Sequence, residues 1–379
     1  MFENTKTFCD SLLAAGVPGF DLVVCHGGET VLRHRGGWRD LENKVPMDGT
    51  ERFNIYSCSK PITVTAALQL WEKGLFALED ALGDYLPEYA SMNVFTPDGV
   101  KPAQNPIRIK HLFEMTAGLN YNVNSPYLLR CREETGGRCP TREAVRCLAG
   151  DTLLFEPGTR WRYSFCHDVL AALVEVLSGE KFETYVKKHI FDVTGMPRST
   201  FMLPESEIGT ISPQYRAKEG AFLNVGPHIQ SYKLGREYAS GGAGCISTVD
   251  DYIRFLEALR TYKLLKPETV KLMTTPRLTD DQLGEFFFRG THGCGLGVRC
   301  PKGDPHYADF GWDGAACSFL AVDETNAITL FFGAHVLSSP VHGVRTMLYR
   351  IVRADLLDPD DFPAIAADLK RRYNFTAPF

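Results

Sequence analysis

Apolar residues change their spacing three times along this chain. From Phe2 to Ala15 they recur at helical intervals, and two short β-rich runs follow, "FDLVVCHGG" and "TVLRHRGGW", parted by Gly27-Gly28. That order predicts a helix packed on an antiparallel hairpin. From Ser57 the helical period returns: Ile62, Ala66 and Leu70, beside Leu68, Trp71 and Leu75, predict a buried helix stopped at Gly74. Between about Leu82 and Lys271, helical segments such as Val169 to Leu177 and Val249 to Leu259 are separated by loops containing Pro and Gly. Strand-like alternation reappears in "GCGLGVRC", "CSFLAVD" and "AITLFFGAHV", ahead of a closing helix around Val341 to Leu356. Strands at both ends with helices between them predict an α/β (α+β) fold. One antiparallel sheet flanked by helices is assembled from 1–56 and 285–379, and 57–284 is a large, mainly helical insertion.

Composition narrows the function classes. The 379 residues are 44% hydrophobic and 23% charged, enough to bury a large core, and neither a repeat nor a long linker divides them. A net charge of -5 without a basic run gives no footprint for nucleic acid. The start, Met1 to Lys6, has no basic region followed by an apolar stretch, and no segment approaches the ~18 apolar residues of a membrane span. A cytoplasmic protein with no membrane partner is expected. Eleven scattered cysteines fit reduced thiols better than a disulfide framework or a zinc site. His26, His111 and His335 are isolated, and the glycines of "GCGLGVR" lack the helix a nucleotide loop needs, so neither metal nor organic cofactor is expected.

Chemistry concentrates in "IYSCSK", Ile55 to Lys60. Serine needs a base to take its proton as it attacks, and Lys60, three residues after Ser57, shares its face of a helix. A buried ammonium at a helix N-terminus is disfavoured by desolvation and by the dipole, which favours the neutral, basic amine. Ser59 faces elsewhere, and Cys58 has no local histidine partner. The pattern alone is equally that of a helix start capped by serine.

The wider chain resembles the serine β-lactamase and penicillin-binding-protein superfamily, in which S-x-x-K supplies nucleophile and base. The resemblance is nearest to class C β-lactamases and β-lactamase-like esterases. It runs through "IRIKHLFEMTAGL" (Ile107 to Leu119), "PGTRWRYSFCHDVLAALVEVLSG" (Pro157 to Gly179), "SGGAGCISTVDDYIRFL" (Ser240 to Leu256) and "FGWDGAACSFLAVD" (Phe310 to Asp323). It implies a β-lactamase/transpeptidase-like fold with the active site in the cleft between sheet and helices. By position, Tyr163 matches the tyrosine of Y-x-N, which relays protons with the lysine; the residues alone also permit a core tyrosine. If the phenol is to act as a base near pH 7, positive charge nearby must favour its anion, and Lys60, with Arg160 or Arg162, can supply it. "GWDG" falls where the family carries K-T-G or, in its esterases, W-G-G. Trp312, Asp313 and Gly314 are thereby expected to line the pocket, with the backbone N–H groups of Ser57 and Ala315 as oxyanion hole. A glycine-containing hairpin turn accounts for the same residues.

Two departures bear on substrate. Phe165 replaces the asparagine of Y-x-N, and Trp312 replaces the third-motif lysine that holds a carboxylate. Both argue against a β-lactamase or a D-amino-acid peptidase and make the pocket apolar, which suits esters. The expected partner is therefore a small-molecule ester or amide, and the leading reading a carboxylesterase with an acyl-enzyme on Ser57. Transfer of the acyl group to an alcohol or amine is the runner-up, and an inert ligand-binding homologue the reading from another class. Asp313 adds the expectation of a cationic group near the scissile bond. His167 and Asp168 are expected near the pocket mouth or as helix-start polarity. Cys58, Cys166, Cys245 and Cys317 lie inside or beside the matched segments, as core filling or, alternatively, as thiols close enough to the site for oxidation or alkylation to block activity, and the loop Asn122 to Cys139 is expected to shape the pocket.

Overall fold

The hairpin at Gly27-Gly28 nucleates the main sheet of the computed structural model, which describes residues 1–226 and 232–379. Strands β1 (Gly19–His26) and β2 (Glu29–Asp40) pair antiparallel across the two glycines, whose φ angles of 62° and 93° suit a tight turn between right-twisted strands. Strand β3 (Val45–Pro46) adds to the β2 side. The other five come from the far end of the chain: β4 (His292–Cys294), β5 (Arg299–Pro301), β6 (Phe310–Asp313), β7 (Phe319–Asp323) and β8 (Ile328–Ala334). Because β8 pairs with β1, the order is β4-β5-β6-β7-β8-β1-β2-β3, antiparallel at each pairing. Both chain ends thus build one sheet.

Successive side chains of a strand face opposite sides, and here both sides are covered. Leu22 and Val24 of β1 pack with Phe8 and Leu12 of helix α1 (Glu3–Gly16), while Val23 belongs to the core on the other side. That other side carries α2 (Lys60–Glu72), α3 (Cys166–Ser178) and α4 (Val249–Arg260). With both faces buried, the strand reads as a continuous apolar run instead of an alternation, and each side chain so covered contributes about 1.5–3 kcal/mol. Helix α4 packs directly on β1, β7 and β8, so the stretch 57–284 also supplies a helix to the sheet layer.

Three local expectations change. "GCGLGVRC" is not one strand but two, β4 and β5, joined by a turn at Gly295 to Val298, because Gly297 takes φ 69°. A Cβ on Gly297 would stand 2.3 Å from Val64 Cγ2, so the turn also seats α2 against the sheet. The closing helix begins later than expected, as a 3-10 turn at Val344–Met347 that leads into α5 (Leu348–Leu357). A further helix, α6 (Phe362–Tyr373), starts on Pro363 and packs beside α5. Among the described residues no helix is long and apolar enough to cross a membrane.

Candidate active site

Ser57 lies in a 3-10 turn (Tyr56–Ser59) that runs straight into α2, so Lys60 opens the α-helix one turn after it. Tertiary contacts hold the turn in place. Tyr56 precedes Ser57 with φ 48°, a region costly for a side chain other than glycine. Its ring is buried, and its hydroxyl donates to Gln214 Oε1 at 2.8 Å. Ser59, which had no role in the sequence reading, accepts from Cys245 N at 2.9 Å and donates to Tyr56 O. Tyr252 OH donates to the Cys58 carbonyl at 2.5 Å. The small residues of "SCS" are thus partly explained by anchoring.

Lys60 is fully buried, and its Nζ stands 3.2 Å from Ser57 Oγ, 2.5 Å from Tyr163 OH and 2.7 Å from the Gly242 carbonyl. Ser57 Oγ and Tyr163 OH are in direct hydrogen-bond contact. Burial is the main cause that lowers the Lys60 ammonium to about 7, against the opposing pull of the Asp168 charge. A neutral amine has a lone pair, and Ser57 Oγ–H is placed to donate to it. For Tyr163 the surroundings weigh against an anion. Burial pushes its phenol well above the ordinary range, more than the hydrogen bond with Ser57 lowers it, so near neutral pH it keeps its proton. Of the two, the lysine is the group that can hold a free lone pair near neutral pH, and the phenol is a hydroxyl that can pass a proton.

Ser57, Tyr163, Asp313 and Ala315 open onto one cavity of about 470 Å³. Ser57 and Ala315 both line the cavity, and among the described residues no turn or loop hydrogen bond takes up either backbone N–H. Gly241 and Gly242, from the loop before α4, complete the wall behind the lysine. Thr63 Oγ1 donates to Gly241 O at 2.7 Å, and a Cβ on Gly242 would stand 2.6 Å from Asp168 Oδ2. "SGGAG" was the only sign of this in the sequence, since a carbonyl partner leaves no side-chain signature.

Other assigned residues sit differently. Phe165 is buried behind the site, its ring 4.6 Å from Tyr121, which in turn touches Tyr163 at 5.3 Å. It precedes α3 with its amide on Asn120 O, which turns the side chain into the core. Trp312 is likewise buried, stacked 6.4 Å from Tyr163 and edge-on at 5.7 Å to Phe288; it supports the wall without lining the cavity. Gly314 is small for a protein neighbour and not for substrate, as a Cβ there would stand 2.5 Å from Ile55 O. Asp313 is paired: Arg345 Nη2, fully buried, donates to its Oδ2 at 3.0 Å, and His342 lies 3.6 Å away. That balance removes the reason for expecting a cationic substrate. Asp168 and His167 are fully buried and do not line the cavity; Asp168 accepts from Tyr238 OH and Ser240 Oγ.

The cavity walls missed by sequence reasoning come from the chain's last third: Phe287 and Phe288, the 3-10 turn before α5, and Arg372 and Tyr373 at the end of α6. No residue from Asn122 to Cys139 lines it. Cys58, Cys166, Cys245 and Cys317 are all buried, and burial pushes each thiol up. Among the described residues no group of three or more His, Cys, Asp or Glu is placed to hold a metal ion.

Comparison with known proteins bears on this arrangement. The profile of the Beta-lactamase family matches residues 6–353. Protein Rv1367c of Mycobacterium tuberculosis is 29% identical over 78% of this chain and 80% of its own. Esterase EstB of Burkholderia gladioli is 29% identical over 69% of this chain and 71% of its own. Among solved structures, EstCE1, described as a hydrolase with promiscuous acyltransferase activity, superposes with a TM-score of 0.75 at 23% identity, over 92% of this chain and 97% of that one.

Proposed function

From the premise that this chain belongs to the beta-lactamase family, we propose that it is a serine hydrolase, and specifically a carboxylesterase acting through an acyl-enzyme on Ser57. One observation carries the reading: a fully buried Lys60, lowered to about 7, lies within hydrogen-bond reach of both Ser57 Oγ and Tyr163 OH. In acylation Lys60 takes the Ser57 proton as Oγ attacks the ester carbonyl. The amides of Ser57 and Ala315 receive the developing oxyanion, at a few kcal/mol each. Tyr163 relays the proton from Lys60 to the departing alcohol, and water, deprotonated by the same pair, then cleaves the acyl-enzyme.

Ester preference is supported by the aromatic walls and by the absence of a lysine at the "GWDG" position, where Trp312 is buried against Tyr163. The test is a panel of p-nitrophenyl esters of increasing chain length beside a chromogenic cephalosporin, on wild type and Ser57→Ala. Ester turnover lost in Ser57→Ala is expected; cephalosporin turnover exceeding each ester overturns the esterase reading.

Acyl transfer is the second reading, and the same acyl-enzyme serves it if an alcohol or amine displaces water. The aromatic lining that favours it is Phe287, 63% exposed at 5.5 Å from Tyr163, a surface on which an apolar acceptor can rest. Formation of a new ester on adding alcohols, at the expense of free acid, distinguishes transfer from hydrolysis.

A further inference from the structure

The charges around the cavity do not cancel. Among the described residues Asp313 is its only lining carboxylate, and it is paired with Arg345. Arg299 lines the cavity too, is paired with buried Asp309, and keeps an Nε–H with no acceptor among the described residues. Arg372 adds a third guanidinium. Its nearest carboxylate is Asp368 at 3.7 Å, and that carboxylate already binds Arg371 at 2.5 Å and Arg350 at 2.7 Å. Arg350 is in turn matched by Asp361 at 2.6 Å. One positive charge is left over, and Arg372 carries it to the cavity wall.

Aromatic contacts show where along the wall this charge lies. From Tyr163 the rings run to Trp312 at 6.4 Å, then Phe288 at 5.7 Å, which is under the Arg299 guanidinium at 5.5 Å. Phe288 also meets His292 at 6.4 Å, His292 meets Tyr307 at 5.6 Å, and Arg372 sits over Tyr307 at 5.8 Å. The reacting hydroxyls are at one end of this series, Arg299 sits over its middle ring and Arg372 over its far end. Nearby hydroxyls of Thr346 and Tyr373, 3.1 Å apart, add donors to that wall. Stacked guanidiniums are less hydrated than ammonium groups and match a carboxylate with two parallel N–H bonds.

Resting on the hydrolase reading above, we infer that the substrate is an acidic ester: a carboxylate, several bonds from the scissile carbonyl, is held between Arg372 and Arg299. This places the anion-binding group on α6 and β5, remote from the "GWDG" strand. Phe287, 5.5 Å from Tyr163, and Phe288, under Arg299, both line the cavity and take an apolar spacer.

Matched pairs test it: 4-nitrophenyl octanoate beside the mono-4-nitrophenyl ester of suberic acid, with the charge on the acyl side, and 4-methylphenyl acetate beside 4-acetoxyphenylacetic acid, with it on the alcohol side. In at least one pair the acidic ester is expected to have about tenfold higher kcat/KM, the ratio of one charge-assisted hydrogen-bonded contact. Arg372→Gln is expected to erase that ratio and Arg372→Lys to restore part of it, while Arg371→Gln, turned to solvent on the same helix, keeps it. Neutral esters turned over with no acidic preference in either pair overturns the inference and leaves the hydrolase reading standing. A preference untouched by Arg372→Gln also overturns it. Failure to turn over any of the four overturns the hydrolase reading, and this inference with it.

Discussion

The burial that makes Lys60 a base also makes it a burden on the fold, and replacing it with methionine separates the two. Its ammonium is lowered from 10.5 to about 7, which corresponds to roughly 4–5 kcal/mol in favour of the neutral amine. At pH 7 roughly half the molecules hold a neutral Lys60, against roughly three in ten thousand for an exposed lysine. In the unfolded chain the lysine stays protonated up to about 10.5, so between about 7 and 10.5 the unfolded state binds more protons and stability rises with pH. The burden is full below about 7, about 4 kcal/mol at pH 7, and about half of that at pH 9. Lys60→Met removes it but leaves the Gly242 carbonyl unpaired, at about 1–3 kcal/mol. The variant is therefore expected to be inactive and about 1–3 kcal/mol more stable at pH 7. That advantage shrinks by about 2 kcal/mol at pH 9. Urea unfolding of both proteins at the two pH values measures this. In parallel, wild-type kcat/KM on a neutral p-nitrophenyl ester is expected to rise with a slope of one and a midpoint near 7. The cavity histidines do not confuse that limb, since burial lowers His342 to about 4 and His292 below its ordinary value. A stability difference that does not change between pH 7 and 9, or a flat rate profile across pH 5–9, refutes the reasoning.

Tyr163→Phe deletes the hydroxyl that touches both Ser57 and Lys60; ester kcat/KM is expected to fall roughly 10²–10⁴-fold with the melting temperature little changed. Gly314→Ala drives a Cβ into the Ile55 carbonyl, a backbone atom beside the Ser57 turn. A loss of about 1–3 kcal/mol by denaturant titration and a fall in kcat are expected together. Arg345→Met leaves Asp313 unpaired; a loss of about 3–5 kcal/mol is expected, part of it recovered in Arg345→Met with Asp313→Asn. Iodoacetamide on the native protein is expected to label Cys147, the one cysteine not fully buried, ahead of the other ten, and to leave ester hydrolysis intact. Mass spectrometry with a parallel activity assay follows both.

Local regularities carried most of the architecture. The Gly27-Gly28 turn, the opening helix and the two segments Val169 to Leu177 and Val249 to Leu259 were all legible, because hydrophobic period and turn residues are properties of short stretches. "GCGLGVRC" misled because apolar alternation does not register a turn at Gly297, whose backbone is bent to accommodate Val64 on another element. The second closing helix went unseen behind "DPDDFP", where proline reads as a stop and here begins a new helix.

At the candidate site the same division holds. The residue types of Ser57, Lys60 and Tyr163, and the spacing of the first two, were readable from the chain. Their electrostatics were not, because desolvation depends on what surrounds a group: it lowers the Lys60 ammonium and raises the Tyr163 phenol, so the amine sheds its proton more readily than the phenol does. Phe165, Trp312 and Gly314 had the right addresses and the wrong neighbours, since sequence position does not say whether a side chain faces a cavity or a core. Chemistry-bearing residues and their order belong to the sequence by itself. The pairing of Asp313 with Arg345, and the cavity wall brought by Arg372 from the far end of the chain, exist only once the sheet closes and contacts between distant residues set burial, dielectric and charge balance.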